Sequence, residues 1–429
     1  MAELTITAHA SAAERVRAEV ERALTDQHVN LASQAGRDQA ETAIEEALRA
    51  YQAEALASGN GDGAVAPELL ERIRRELRDD LIGLGATLQR MLSDPEAQEW
   101  SINSPTRVFR DNGERIERVT EIVFPDDRAV RHLIERALEG VEGKRLDRIT
   151  PIIEARLPDG SRLTAAIPPV SSNGHVICNI RLHRLKANTL GELVALEMLS
   201  QQAADFLAAC VRARKNIVVS GPAGAGKTTL LNALGQAIPG SQRVVVCEAG
   251  AELKLPELLH NCVGYESRPE SPDGLAAIDL RQLVATALRA TPSRLIVGEV
   301  RGPEALAMYW AFASGHAGMT SVHGETCDHA LRNLSRFALT AGYQITTEQA
   351  LDWLREVHIV VHCTRPAVYE NGEEYFLPRR VEEIVEVQGV EGTRLTLNPL
   401  FDGVGPNLHW NGSGPRYLDQ LERAGFAPQ

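Results

Sequence analysis

The sequence is poor in aromatic residues, which make up 4% of its 429 residues, although 44% of the chain is hydrophobic. Alanine, leucine, valine and isoleucine must therefore fill the interior, and this length usually corresponds to two or three domains. The six cysteines stand apart and none forms a CxxC pair. This excludes a zinc-ribbon spacing, gives no disulfide framework and favours a reducing compartment.

Long hydrophobic runs and an excess of positive charge are also missing. No apolar run approaches the ~20 residues of a membrane-spanning helix, and the N-terminus lacks the basic and apolar leader of a secretion signal. The net charge of −13 argues against a large nucleic-acid-binding surface, because such domains are usually basic. We therefore expect no transmembrane segment and no direct nucleic-acid binding, and any work at a membrane would need protein partners.

The most informative segment is a glycine-rich loop that fits the pattern G-x-x-x-x-G-K-[ST]. It runs from Gly221 to Thr228, between an apolar run at 216–220 and a helical pattern at 229–237. A strand, a glycine loop and a helix in this order form a phosphate cradle whose backbone N–H groups face the β-phosphate. Lys227 would reach the outer phosphates, and Thr228 would bind Mg²⁺. The predicted nucleotide-binding residues are Gly221, Pro222, Ala223, Gly224, Ala225, Gly226, Lys227, Thr228 and Thr229.

Three domains are predicted from the pattern along the chain. Residues 1–93 carry three apolar stripes at helical spacing, with a flexible linker at 58–63, and predict a helical bundle or hairpin. A bundle without chemistry is the simpler interpretation, and a docking arm for a partner is the alternative. Residues 94–186 mix strands and a helix and predict an α+β domain. Residues 187–429 alternate apolar strands with helices before a β-rich tail, which predicts an α/β fold with a parallel sheet.

Several boundaries within these domains follow from the same patterns. The third apolar stripe, from Leu70 to Leu88, predicts one helix that begins near Pro67. Residues 101–110 and 114–119 predict a hairpin around an Asn-Gly turn. A helix is expected at 126–139, and further strands are expected at 152–157, 161–167 and 176–182.

Two carboxylates lie at the ends of predicted parallel strands. Hydrolysis of a nucleoside triphosphate needs a metal, a residue that orients water and positive charge opposite the γ-phosphate. Glu299 ends the run 294–299 and Glu248 ends the run 244–248, and a parallel sheet presents its ligands at this end of the strands. We predict that both act in catalysis and bind Mg²⁺ together with Thr228. The alternative for each is a solvated acid at a strand end.

Histidines and arginines complete the predicted site. His316 and His323 bracket one strand and could sense the γ-phosphate, although ordinary packed or surface histidines are the alternative. Positive charge is expected from Arg156, Arg162 and Arg181 on strands of the α+β domain. A P-loop domain rarely closes over its own γ-phosphate, so arginines from a second domain or subunit would complete it. Each arginine taken alone could be an ordinary surface residue.

The segments 287–305 and 314–323 together closely resemble the type II/type IV secretion ATPases, the GspE/VirB-type traffic ATPase superfamily. The resemblance covers nearly the whole chain from about residue 95 and is greatest to the CpaF/TadA branch, which powers the assembly of tight-adherence (Flp-type) pili. It implies a RecA-like P-loop NTPase domain preceded by a PAS-like α+β domain and an N-terminal helical region. It also implies ATP and Mg²⁺ as cofactors, a homohexameric ring at the cytoplasmic face of the inner membrane, and polytopic inner-membrane platform proteins as partners.

The resemblance also assigns roles to single residues. The matches are Lys227 and Thr228 to Walker A, Glu299 to Walker B, Glu248 and Glu252 to the aspartate box, His316 and His323 to the histidine box, and Arg156, Arg162 and Arg181 to arginines that approach the nucleotide.

Two departures stand out, because Ala249 and Ala317 replace acids that the family usually has. The absent tetracysteine motif argues against the general secretory and type IV pilus extension ATPases. The expected function is an ATP-hydrolysing motor for pilus assembly or protein secretion. The alternatives are the same motor in conjugative DNA transfer, or a nucleotide-gated scaffold with weak hydrolysis.

Overall fold

The protein divides into two units, Met1–His183 and Arg184–Gln429, which are described separately. The structure is a computed structural model that describes residues 29 and 141 and the ranges 2–27, 34–57, 67–81, 85–139, 144–184, 187–270, 276–370 and 372–427. The linker predicted at 58–63 lies outside these residues. In the part of the chain that is described, no helix is both long and apolar enough to cross a membrane.

The first unit begins with a group of helices: α1 Ala2–Asp26, α2 Gln34–Ala57, α3 Pro67–Leu81 and α4 Ala86–Ser93. Apolar residues of the predicted stripes on α1, α2 and α3 share one core, which includes Val16, Val20, Ile44, Ile73 and Leu77. These residues recur at the helical period on each helix, so each helix turns one face to the common core.

The third stripe is not one helix. α3 ends at Leu81, and α4 begins after Gly85, whose φ of 85° is incompatible with a continuous helix. Leu88 on α4 packs into the core beneath the sheet that follows, whereas Ile73 on α3 packs with α1 and α2. The prediction of one helix that reaches Leu88 is therefore wrong.

A sheet and one further helix follow the four helices. The elements are β1 Glu99–Ser104, β2 Arg107–Asp111, β3 Ile116–Val119, α5 Asp127–Ala137, β4 Ile152–Arg156, β5 Arg162–Ala166 and β6 Ile177–Arg181. Within the described residues the strands form one six-stranded antiparallel sheet in the order β3-β2-β1-β6-β5-β4. Residues 101–110, predicted as a single strand, instead form β1 and β2 with a turn at Pro105 and Thr106.

The second unit contains the longer sheet and its covering helices. The strands are β7 Ile217–Gly221, β8 Val244–Glu248, β9 Cys262–Glu266, β10 Arg294–Val297, β11 Ala317–His323, β12 Ile359–Thr364, β13 Ala367–Glu370, β14 Glu373–Phe376, β15 Arg380–Glu391, β16 Arg394–Pro399, β17 Phe401–Asp402 and β18 His409–Trp410. The α-helices are α6 Leu190–Ala195, α7 Gln201–Arg212, α8 Lys227–Gln236, α9 Leu255–Leu258, α10 Leu280–Ala287, α11 Glu304–Ala313, α12 Cys327–Leu339, α13 Thr347–Asp352 and α14 Leu418–Arg423.

The described strands of this unit pair in the order β16-β15-β12-β7-β11-β10-β8-β9, while β13–β14 and β17–β18 form separate pairs. The strands from β12 to β9 run parallel, which confirms the predicted α/β fold. The sheet is nevertheless mixed, because β15 and β16 of the predicted β-rich tail extend it in antiparallel orientation.

Both faces of the parallel strands are buried. Val219 and Val246 belong to one core, and Val218 and Val245 belong to the other. Helices cover both faces of such a sheet, as they do when parallel strands are joined by crossover helices. The loops that leave the carboxyl ends of β7, β8, β10 and β11 therefore meet at a single edge of the sheet.

Candidate nucleotide-binding site

The glycine-rich loop connects β7, which is central in the sheet, to the first residue of α8, Lys227. Gly226 precedes this helix with a φ of 94°, in the left-handed region that favours glycine. A side chain at Gly221 would collide with the carbonyl oxygen of Cys363 at the end of β12. The strand, loop and helix predicted around this motif are confirmed, and the loop is packed closely against the neighbouring strand.

The Lys227 side chain lies inside the loop. Its Nζ donates hydrogen bonds to the carbonyl oxygens of Gly221 at 3.0 Å and Pro222 at 2.9 Å, and it lies 3.2 Å from Nδ1 of His323. Phosphate oxygens accept stronger, charge-assisted hydrogen bonds than carbonyl oxygens do. An incoming phosphate can therefore draw this ammonium group away from the loop.

His323 links the loop to the candidate catalytic acid, Glu299. Its Nδ1 accepts from Lys227, so the neutral ring carries its proton on Nε2, which lies 2.8 Å from Oε1 of Glu299. Burial, followed by the charge of Lys227, lowers the pKa of His323. Arg301 forms an ion pair with the other oxygen of Glu299. Four side chains from three loops thus form one continuous polar chain.

Glu299 retains capacity to accept hydrogen bonds. The 2.8 Å contact with His323 is short but not aligned as a hydrogen bond, and no described residue donates one to the buried Oε1 of Glu299. A buried polar atom of this kind usually has a water or an ion as its partner. Glu299 therefore suits a residue that holds water at the γ-phosphate.

The two acids after β8 take different positions. Glu248 is buried, and its Oε1 accepts from the backbone N–H groups of Glu252 at 3.0 Å and Leu253 at 3.1 Å. Burial raises the pKa of Glu248 to about 7. The loop that Glu248 holds in this way places Glu252 against the P-loop, where the hydroxyl of Thr228 donates to Oε2 of Glu252 at 3.2 Å.

The donor set around Thr228 fits Mg²⁺, which prefers oxygen ligands. The hydroxyl of Thr228 and the carboxylate of Glu252 are in contact. Glu299 follows a strand end at the same edge of the sheet, and its buried Oε1 has no hydrogen-bond donor among the described residues. No three histidine, cysteine or acidic side chains among the described residues lie close enough to hold a metal ion by themselves. Nucleotide phosphates and water would therefore have to complete the coordination, as is usual for Mg²⁺.

Two residues at this site received no catalytic or metal role from the sequence. The resemblance matches Glu252 to the aspartate box alone, and no sequence pattern singles out Arg301. The spacing could have indicated a role for Glu252, because Glu252 follows the strand-end acid Glu248 by only four residues. At this separation the loop can turn back so that the N–H of Glu252 donates to Glu248. Arg301 follows Glu299 by two residues, which places both side chains beyond the same strand end.

His316 is not brought to this site. It immediately precedes β11, whereas His323 ends that strand seven residues later (323 − 316), a span of about 23 Å at the rise of a β-strand. Its Nδ1 lies 3.0 Å from Oγ of Ser314. Ala317 is paired with Arg294 at the start of β10, at the same distant edge. The acid that is missing at Ala317 would therefore not face the P-loop of its own unit.

The three predicted arginines lie in the first unit on adjacent strands. Arg156 on β4 is directly opposite Arg162 on β5, which is directly opposite Arg181 on β6. Directly opposed residues share one face of a sheet, and like charges in such pairs repel each other. The row brings the three arginines side by side on one face, and it continues on β1 with Glu99, which lies directly opposite Arg181.

Comparison with known proteins identifies the relatives of this chain. The sequence profile of the family described as "Type II/IV secretion system protein" matches residues 85–392. A Mycobacterium tuberculosis protein whose description names conjugal transfer is 36% identical over 250 residues, which cover 57% of this chain and 69% of that protein. The conjugal transfer protein TrbB of Rhizobium radiobacter is 29% identical over 330 residues, which cover 74% of this chain and 91% of TrbB.

Solved structures show the same fold. The X-ray structure of the Yersinia pseudotuberculosis ATPase DotB matches with a TM-score of 0.50 and 16% identity, over 70% of this chain and 78% of DotB. At this identity the likeness supports the fold alone.

Proposed function

We propose, since the chain belongs to the type II/IV secretion system protein family, that it is an ATP-hydrolysing motor that powers pilus assembly or protein secretion across the inner membrane. The observation that carries this proposal is the contact of Lys227 with His323, which in turn contacts Glu299, at the carboxyl edge of the sheet. This edge is where parallel sheets bind their ligands.

The residues of the P-loop have distinct roles in the proposed reaction. Backbone N–H groups of the loop and the start of α8 bind the β-phosphate, and Lys227 exchanges its carbonyl partners for phosphate oxygens. Thr228 and Glu252 would hold Mg²⁺, either directly or through water, and a bound ion would supply positive charge beside the phosphates.

The acids and the histidine act on the attacking water. Glu299 orients it, while Arg301 forms an ion pair with the other oxygen of Glu299 and neutral His323 lies 2.8 Å from Oε1. Glu248 remains a proposed catalytic and metal-binding residue. A pKa of about 7 suits a proton acceptor, although its Oε1 already holds two backbone N–H groups.

The assembly is part of the proposal. We place the chain in a homohexameric ring at the cytoplasmic face of the inner membrane, with polytopic membrane proteins as partners. In this ring, Arg156, Arg162 and Arg181 supply positive charge to the γ-phosphate from a PAS-like domain, and the RecA-like domain carries the P-loop. Closure of the site on ATP and reopening after hydrolysis would provide the mechanical stroke.

The finer assignment to the CpaF/TadA branch rests on the motif resemblance. A second candidate, the same motor in conjugative DNA transfer, is favoured by the relatives whose descriptions name conjugal transfer. A third candidate, a nucleotide-gated scaffold with weak hydrolysis, rests on Ala249, which follows Glu248 at the carboxyl edge. Ala317 no longer supports this scaffold, because it lies at the edge of the sheet opposite the P-loop.

Steady-state phosphate release from MgATP tests the motor. Wild type, Glu299→Gln and Lys227→Ala would be compared, with Arg423→Ala as control, since Arg423 is an exposed residue of α14. A motor requires that Glu299→Gln reduces kcat by at least about a hundredfold, and that Lys227→Ala removes nucleotide binding. Equal, background-level rates in wild type and Glu299→Gln, with nucleotide still bound, would support the scaffold instead.

A further inference from the structure

We propose that Arg365 and Arg379 clamp the P-loop from the two ends of the β13–β14 hairpin and thereby couple nucleotide occupancy to the order of that hairpin. Both are positioning residues, since they act on the nucleotide through the loop. This inference rests on the proposed binding of nucleotide at the P-loop.

The hairpin leaves the large sheet and returns to it beside the P-loop. Thr364, the last residue of β12, is paired with Arg380, the first residue of β15. The described residues between them, 365–370 and 372–379, therefore belong to an excursion whose first and last residues are both arginines. The same end of β12 packs against the P-loop, since the carbonyl of Cys363 fills the space beside Gly221.

Both arginines reach the loop. Arg379 donates a hydrogen bond from Nε to the carbonyl oxygen of Gly224 at 2.6 Å. Its side chain also covers Gly226, where an added Cβ would lie 3.2 Å from Cδ of Arg379. Arg365 approaches from the other end of the excursion, and its Nη1 would lie 3.4 Å from a Cβ at Gly224. The two side chains thus converge on one peptide segment of the phosphate cradle.

Among its described residues, the hairpin has few contacts of its own beyond its backbone pairing and a hydrogen bond from the hydroxyl of Tyr369 to Glu374 at 2.7 Å, so its order should depend on its base. β13 and β14 pair with each other and with no other described strand, and an isolated two-stranded hairpin is at best marginally stable in water. Glu370 lies directly opposite Glu373, and this pairing of like charges weakens the hairpin further. At its base, Leu377 donates from its backbone N–H to the carbonyl of Pro366 at 2.8 Å.

Arg365 also joins the hairpin to the clamp. Its guanidinium carbon lies 4.2 Å from the ring centre of Phe376, the last residue of β14. A cation above an aromatic ring at this distance is an attractive contact. Arg365 therefore contacts the end of the hairpin and also lies beside the P-loop, which Arg379 contacts as well.

Coupling follows from thermodynamic linkage. If the clamp favours the loop conformation that binds phosphate, then bound nucleotide must favour the clamp by the same factor. We therefore expect nucleotide to increase the protection of the hairpin amides, although the hairpin does not need to touch the nucleotide.

Hydrogen exchange of residues 367–376, measured with and without MgADP alongside the MgADP dissociation constant, tests the clamp. We expect nucleotide to slow exchange of wild-type hairpin amides by up to about tenfold. Arg379→Ala should speed exchange in the empty protein, abolish the nucleotide effect and weaken MgADP binding by about tenfold. Arg379→Lys, which keeps one donor, should restore part of both effects, and Arg423→Ala should behave as wild type.

Two outcomes would overturn the inference, and a third would make Arg379→Lys the deciding variant. Unchanged hairpin exchange on addition of MgADP to wild type would refute the coupling, even if Arg379→Ala weakened binding. Unchanged exchange and affinity in Arg379→Ala would refute the clamp. If Arg379→Ala unfolds, amides of β7 and β11 should lose protection together with those of the hairpin. In that case Arg379→Lys decides, because the clamp requires it to show hairpin exchange and MgADP affinity between those of wild type and Arg379→Ala. Failure of the proposed function gives a different result from failure of the clamp. If nucleotide does not bind at the P-loop, Lys227→Ala should have the same affinity for MgADP as wild type.

Discussion

Replacing Glu248 with glutamine should stabilise the second unit at neutral pH, although it removes a charge from the candidate site. The pKa of Glu248 rises from 4.5 to about 7 because burial disfavours its ionised form. At about 1.4 kcal/mol per unit of pKa, ionising this carboxyl group in the folded protein costs roughly 3 kcal/mol. Glutamine avoids that cost, and its carbonyl oxygen can still accept from the N–H groups of Glu252 and Leu253.

The size of this stabilisation depends on pH. Between pH 4.5 and 7 the folded protein binds the proton that the unfolded chain has lost, so this group makes folding less favourable as pH rises. Below that window, wild type and Glu248→Gln should be about equally stable. Above pH 7 the variant should be more stable by up to roughly 3 kcal/mol, and the difference should no longer change with pH.

Urea unfolding at pH 5 to 8.5 without nucleotide or metal provides the measurement. Tryptophan fluorescence reports mainly on the second unit, which contains Trp310, Trp353 and Trp410. Glu257→Gln is the matched control, because Glu257 is exposed. A stability difference between wild type and Glu248→Gln that does not vary with pH would refute the reasoning from burial.

Other perturbations give separate tests. Glu252→Gln should weaken Mg²⁺-dependent nucleotide binding by about tenfold and leave metal-free ADP binding near wild type, because Glu252 contacts Thr228 at the proposed Mg²⁺ site. Equal losses of affinity with and without Mg²⁺ would refute that role. Gly318→Ala should destabilise the second unit by about 2 kcal/mol or more in thermal melts, because the added Cβ would collide with the backbone carbonyl of Leu295; a melt within a degree of wild type would contradict this. Arg162→Ala should lower kcat about a hundredfold with ADP affinity unchanged, and a purely structural arginine would instead lower the melting temperature with kcat retained.

Much of the α/β fold was predictable because its strands are buried on both faces. β7, β8, β10, β11 and β12 each appear in the sequence as a short apolar run, and all five are strands of the parallel part of the sheet. β9, at the edge of the sheet, was missed because its residues are only partly buried and its sequence lacks an apolar run.

The arrangement of the site was less predictable than its components. The contact of Thr228 with Glu252 joins residues 24 positions apart and depends on how Glu248 folds its loop. The sequence interpretation assigned both histidines to the γ-phosphate, but His316 precedes β11 and His323 ends it, so the two lie at opposite ends of the strand. This spacing was already visible in the sequence. The β13–β14 hairpin was missed because its short strands are largely exposed.

The resting position of Lys227 has a consequence for the anions that the empty site admits. Its ammonium group is already surrounded by two carbonyl oxygens and an imidazole nitrogen, so a small solute such as sulfate or inorganic phosphate meets no bare cation there. Any anion that enters the site has to replace those neighbours of the ammonium group. A polyphosphate can first occupy the backbone N–H groups of the loop and attract Lys227 afterwards. The resting contacts therefore set the order of events on binding, in which the loop amides meet the nucleotide before the lysine does.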